Sequence, residues 1–150
     1  MTQENNFMAM ALEEAKAAAA KGEVPVGAVL VDGAGKVLAR AGNLTETQGD
    51  PTAHAEMLVL RAAAVRQGAP RLENCDLYVT LEPCAMCAAA LSFARIRRLY
   101  YGAYDPKGGA VDHGPRFFSQ PTCHHRPEVY GGIMESDCGK VLQEFFKMKR

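Results

Sequence analysis

Two cysteines three residues apart, Cys84 and Cys87, follow Pro83 directly and open an alanine-rich run, CAMCAAAL. Residues i and i+3 of a helix share a face. The first helical turn offers unpaired N–H groups and a positive dipole end, which favour a thiolate. The pair is therefore suited to hold a soft metal, or to cycle as a dithiol in the arrangement thioredoxins use. Its plainest reading is two small buried hydrophobes. A structural zinc site would recruit Cys123, His124 or His125 to complete four ligands, whereas a catalytic zinc site keeps three protein ligands and an open position.

His54 and Glu56, in the stretch TAHAE, separate these readings. Taken alone, His54 is a polar helix-start residue and Glu56 a first-turn surface charge. Both, however, stand where a helix follows a strand, and in α/β sheets such starts gather at the strands' carboxyl ends, where ligands bind. His54, Cys84 and Cys87 then form a one-imidazole, two-thiolate set for one zinc ion per chain. Positions i and i+2 do not share a helical face. Glu56 is thus disfavoured as a fourth ligand and left free to move protons beside an ion that acidifies its water to a pKa near ~7. A structural site needs no proton shuttle, and a redox dithiol leaves His54 and Glu56 without work. Catalytic zinc ranks first, structural zinc second and the dithiol third.

The elements that must position these groups are read from pattern. Phe7 to Lys21 is a helix, capped by Asn5 or Asn6 and stopped by Gly22. Val26–Val31 and Lys36–Ala41 form a hairpin around the turn Asp32-Gly33-Ala34-Gly35. After the polar loop GNLTETQGDPT, Asp50 or Thr52 caps a second helix ending at Gly68. Asp76–Leu81 is a strand, a helix opens at Pro83, and Arg98–Tyr101 is a further strand. An irregular stretch runs from Gly102 to about Pro127, and a short strand is expected near Glu128–Tyr130. Cys138, Val141, Leu142, Phe145 and Phe146 fall on one apolar stripe of a last helix. Strand–helix–strand alternation implies crossovers and a layered α/β domain spanning 1–150.

Composition narrows the function classes. Lys+Arg and Asp+Glu are both 17 of 150 residues, which argues against a broad phosphate-coating surface. No apolar run of about 18 residues is present, so no membrane span is expected. The acidic N-terminus lacks a signal peptide's basic region, and an odd count of 5 cysteines fits a reducing, cytoplasmic setting better than a disulfide framework. Cys75 and Cys138 read as core thiols, and Met8 and Met10 as packing. Arg95, Arg97 and Arg98 are either a subunit contact or a solvated face. Prolines around Cys123, His124 and His125 point to a surface loop.

HAE with TLEPCAMC resembles the zinc-dependent nucleoside deaminases, whose HxE…PCxxC signature it carries. EVPVGAVLV, Asn43, DPTAHAE, YYGAYD and the closing EFFKMKR extend the likeness over nearly the whole chain, to the branch of bacterial tRNA-specific adenosine deaminases. That resemblance implies a three-layer α/β/α sandwich with a central mixed sheet of about five strands, and a cytoplasmic homodimer. It implies hydrolytic deamination of the wobble adenosine to inosine in a tRNA anticodon stem-loop, chiefly of an arginine tRNA. Zinc-bound hydroxide would attack C6, with Glu56 shuttling protons to N1 and to the leaving amine. Asn43 would hydrogen-bond the purine, Val24 pack on its face, Asp105 contact the nucleotide backbone and Phe146 lie near flipped bases. Lys107, Arg126, Lys147, Lys149 and Arg150 are candidates for RNA phosphates. His124 and Pro127 depart from the family pattern. The rival functions are deamination of a free base or nucleotide, and a metal-stabilised interaction module without activity.

Overall fold

The computed structural model describes residues 2–149. Helix α1 (Gln3–Ala20) leads into strands β1 (Gly27–Val31) and β2 (Val37–Gly42). A short helix α2 (Thr45–Gln48) and helix α3 (Ala55–Gln67) precede strand β3 (Asp76–Leu81). Helix α4 (Ala85–Ala94), strand β4 (Arg98–Ala103), a 3₁₀ turn at Phe117–Ser119, strand β5 (Glu128–Tyr130) and helix α5 (Glu135–Met148) follow.

The five strands form one sheet in the order β2-β1-β3-β4-β5. β1 is antiparallel to both β2 and β3, while β3, β4 and β5 are mutually parallel. β2 therefore runs in the same direction as β3 and β4. Alternation along each strand sorts side chains to two faces. Ala28, Leu30, Leu77, Val79 and Leu99 pack with Val59, Ala63, Ala88 and Leu91 of α3 and α4. Val29, Val31, Tyr78 and Tyr100 pack with Met8, Ala11 and Leu12 of α1 and Cys138 of α5. The result is the expected α/β/α sandwich around a mixed sheet.

Several boundaries differ from the sequence reading, each for a local reason. Thr2 caps α1 through its hydroxyl on the Asn5 N–H at 3.2 Å, so the helix starts earlier than Phe7. Within the polar loop, four residues form α2, too short to show a period. Asp50 binds the Thr52 amide and hydroxyl at 2.8 and 2.7 Å in a local turn, and the cap position of α3 falls to His54. Cys84 takes the same position on α4. The apolar stripe of α5 is buried only at Cys138; Val141, Leu142 and Phe145 are half-buried, and Phe146 is exposed. Cys123 is buried rather than on a surface loop, and Nε2 of His125 lies 2.8 Å from the Ile96 carbonyl oxygen. Arg97 forks onto Asp76 at 3.0 and 2.8 Å, and Arg98 reaches Glu128 at 2.8 Å. These two arginines thus tie neighbouring strands together.

α1 crosses β1 at Gly27, where a Cβ would stand 1.9 Å from the Ala11 carbonyl oxygen and 2.6 Å from the Ala15 nitrogen. Only a hydrogen fits between strand and helix there. Gly27→Ala is expected to cost roughly 1–3 kcal/mol or more, as overpacking does, read as a lower urea midpoint at unchanged slope.

Candidate metal centre and active site

Because β2, β3 and β4 share a direction, the segments leaving them emerge at one end of the sheet. β2 delivers Asn43 and, after α2, His54; β3 delivers Pro83 and Cys84; β4 delivers Asp105. β1 starts at that end, which places Val24 and Val26 there too; the Gly27 N–H donates to the Thr80 hydroxyl at 3.1 Å.

His54, Cys84 and Cys87 each offer a ligand atom, all within 4.8 Å of one another. Nδ1 of His54 stands 3.7 Å from Sγ of Cys84 and 3.5 Å from Sγ of Cys87. A tetrahedral zinc with Zn–S of ~2.3 Å and Zn–N of ~2.0 Å separates sulfur and nitrogen ligands by roughly 3.5 Å. The spacing and the soft donor set therefore fit zinc. Among the described residues no other His, Cys, Asp or Glu belongs to this group.

Both ligand segments use a helix start. The Cys84 thiol is lowered to about 5, first by the hydrogen bond from the Cys87 thiol and then by backbone N–H groups of Cys87 and Met86 and by His54, against its partial burial. Cys87, which donates that bond and is the more buried, shifts the other way. Glu56 is buried, and burial raises its carboxyl to about 7, with the Cys84 thiolate adding to the effect. It is the one glutamate of the site placed to exchange protons near neutral pH.

His54 occupies the cap position of α3, yet its ring turns to the sulfurs and makes no cap bond. Asn43 replaces it: its Oδ1 accepts from the Ala55 N–H at 2.8 Å. The Asn43 amide NH2 has no protein partner among the described residues, which leaves a donor at the site. Val24 is half-buried beside it in the segment entering β1. Asp105 sits in the loop after β4, its Oδ1 accepting from the Lys107 and Gly108 N–H groups at 3.2 and 2.9 Å, and Lys107 is exposed.

The remaining candidates are not gathered at the metal group. Arg126 is exposed, and its guanidinium donates to the carbonyls of Phe118 and Gln120, which fastens the 3₁₀ turn. Phe146 and Lys147 lie on α5 and Lys149 directly after it, on the far face of the sheet from α3 and α4. The C-terminal end of α5, with Lys149, flanks Ala19, Ala20 and Gly22, which lead into Val24. Arg150 lies outside the described residues.

Glu23 and Glu82 are buried carboxylates to which the sequence attaches no role. Glu23 accepts from the Thr47 N–H and hydroxyl, both at 2.6 Å, and from the Glu46 N–H at 3.1 Å. The Thr47 hydroxyl foremost holds its carboxyl below the usual range. It thereby fastens α2, which follows Asn43. A glutamate reads as surface in sequence; the only cue here is its place beside an apolar Val-Pro-Val run.

The comparisons agree with this geometry. Residues 1–103 match the model of the cytidine and deoxycytidylate deaminase zinc-binding region. The tRNA-specific adenosine deaminase of Agrobacterium fabrum is 60% identical, covering 100% of this chain and 98% of that protein. That of Bacillus subtilis is 47% identical, covering 100% and 92%. A solved structure from work on A-to-I editing by tRNA:A34 deaminases superposes with a TM-score of 0.90 at 62% identity, over 91% of this chain and 99% of that one. The chain belongs to the zinc-binding deaminase family and, within it, to the branch of the tRNA-specific adenosine deaminases.

Asn43→Ala removes the acceptor for the first N–H of α3 and frees the segment that orients His54. Zinc affinity, measured by chelator competition, is expected to fall about 10–100-fold, as on loss of other residues that support metal ligands.

Proposed function

We propose that this chain is a single catalytic domain that hydrolyses the wobble adenosine of a tRNA anticodon to inosine and ammonia. The observation that carries the reading is the His54, Cys84 and Cys87 group with a buried Glu56 beside it. When bound by these three residues, zinc supplies an acidified water as the nucleophile. The Asn43 NH2 donates to a ring nitrogen of the purine and orients C6 toward the centre. Val24 packs against the base. Glu56, poised near neutrality by burial, takes a proton from the attacking water and delivers it to N1. A second transfer through the same carboxylate protonates the amino nitrogen, which leaves C6 as ammonia. Burial of Glu56 keeps these transfers away from bulk water.

A flipped base costs least to present from a loop that is already single-stranded. An anticodon meets that condition and needs few phosphate contacts, consistent with a net charge of +0. Lys107 on the loop after β4, Lys147 on α5, Lys149 directly after it, and Arg150 are the cations proposed for those phosphates. Asp105 is assigned to the nucleotide backbone and Phe146 to neighbouring bases. Arg126 contributes through its support of the 3₁₀ turn. Among the described residues no helix is long and apolar enough to cross a membrane, and the proposed substrate places the enzyme in the cytoplasm.

We also propose a homodimer. The outward side of α4 carries Ala85, Met86, Ala89, Ala90 and Phe93, and Phe93 is 76% exposed while Val65 of α3 is 83% exposed. An apolar helix face of this kind marks an interaction surface. Sedimentation should give the mass of two chains, and Phe93→Glu should weaken association by roughly 2 kcal/mol or more, the loss typical of a central aromatic contact.

The decisive assay is inosine formation in an A34 tRNA or its anticodon stem-loop. Glu56→Gln is expected to retain one zinc per chain and lose about 10²–10⁴-fold in turnover. Full activity in that variant would remove the proton-transfer role. Activity on free bases with none on the stem-loop would replace the RNA reading.

A further inference from the structure

Glu82 stands between β3 and the Pro83–Cys84 turn, yet the proposed chemistry makes no use of it. Its side chain is 0% exposed. All its hydrogen bonds come from one segment more than twenty residues away. Oε1 accepts from the Asp105 N–H at 3.0 Å and lies 2.8 Å from Nδ1 of His113. Oε2 accepts from the N–H groups of Val111, Asp112 and His113 at 3.1, 2.9 and 3.1 Å. The segment wraps tightly around the carboxylate. The Gly109 N–H donates to the Asp105 carbonyl and the Ala110 N–H to the Pro83 carbonyl, both at 2.9 Å. A Cβ on Gly109 would stand 2.5 Å from both Cδ and Oε2 of Glu82.

A loop without strand or helix partners leaves its N–H groups in need of acceptors. Here one carboxylate gathers four of them and fixes the shape of residues 105–113. β3 and β4 are paired in parallel up to Leu81 and Ala103, so the loop leaving β4 must lie against the turn that bears Cys84. The Ala110 bond to Pro83 holds it as a wall beside that turn, with Lys107 exposed and Asp105 half-buried. Glu82 makes no side-chain hydrogen bond to any metal ligand; its contacts all go to the wall.

We propose that Glu82 is a positioning residue for RNA: it holds the 105–113 loop at a set distance from Cys84, so that the loop's polar groups meet the strand whose base enters the metal centre. The inference rests on the deaminase reading above. A preformed wall lowers the ordering cost of binding. Loss of the clamp should therefore appear in substrate affinity before it appears in chemistry or metal content.

Glu82→Gln is nearly isosteric but turns one acceptor into an NH2 that faces N–H donors. With the zinc-loaded enzyme and an anticodon stem-loop, KM is expected to rise about tenfold or more while kcat stays within about threefold, and zinc remains at one per chain. A purely structural role would instead lower the active fraction, reducing kcat and zinc together at unchanged KM; that result overturns the proposal. If Glu82→Gln does not fold, Gly109→Ala serves the same end by driving a methyl group into the Glu82 carboxylate. A raised KM in that variant supports the clamp, and an unchanged KM overturns it. The parent enzyme separates the two readings. No inosine from the parent overturns the deaminase assignment and the clamp with it, whereas an active parent with unchanged KM in the variants overturns the clamp alone.

Discussion

The structure depends on a constraint of strand direction. β1 is antiparallel to both its neighbours, which makes β2, β3 and β4 run the same way. Two of these strands feed the N-termini of α3 and α4 into one region, and the cap residues of those helices are His54 and Cys84. A cap residue has extended backbone, and its side chain ordinarily turns back to the helix's free N–H groups. In Cys84 the sulfur gains from that position, since N–H groups and the helix dipole favour the thiolate. His54 gives the cap up to face the sulfurs, and Asn43 supplies the missing acceptor from another segment. Metal binding and helix capping are thus solved together, with Asn43 as the joint.

Three buried glutamates sort by their hydrogen bonds. Glu23 and Glu82 are surrounded by donors, which offset the cost of burying a charge and hold both carboxyls low. For Glu82, burial alone would push the other way, and the donors of the 105–113 loop outweigh it. Glu56 has no comparable set of donors, so burial wins and its carboxyl rises to about 7. The same side chain is held as an anion at two places and left able to exchange protons near neutrality at the third. Divergent environments for like groups are how acid–base roles are assigned near neutral pH.

The metal group and the glutamate beside it were legible in the sequence because their residues are chemically rare and locally spaced: HxE and PCxxC each sit within one helical turn. The strands were legible as short apolar runs, α1 and α3 from cap and stop residues, and α5 from its apolar stripe. What escaped depended on distance along the chain. Glu23 meets Thr47, and Glu82 meets Asp105 and His113, across 23 to 31 residues. No local pattern marks such a glutamate as buried. α2 is shorter than any readable period, and its first turn is fixed by Glu23 rather than by a cap of its own. Cys123 and His125 looked exposed because prolines flank them. They are drawn inward by Ser92, whose hydroxyl bonds the His125 carbonyl at 2.8 Å.

α4 joins the metal group to an apolar outer surface. Its inner side carries Cys87, Ala88 and Leu91 into the core, and its outer side carries Met86, Ala89, Ala90 and Phe93. Ten residues leave no polar buffer between the two sides. A helix so apolar and so short is held by what packs on it, since helices under about 12 residues are marginal alone. Covering its outer side would therefore restrain the first turn that presents Cys84 and Cys87. The same reasoning applies to the wall built on Glu82, which follows directly before that turn. A partner on α4 would limit the freedom of the ligand-bearing turn from outside the chain, as the hydrogen bonds of Glu82 limit its neighbour from within.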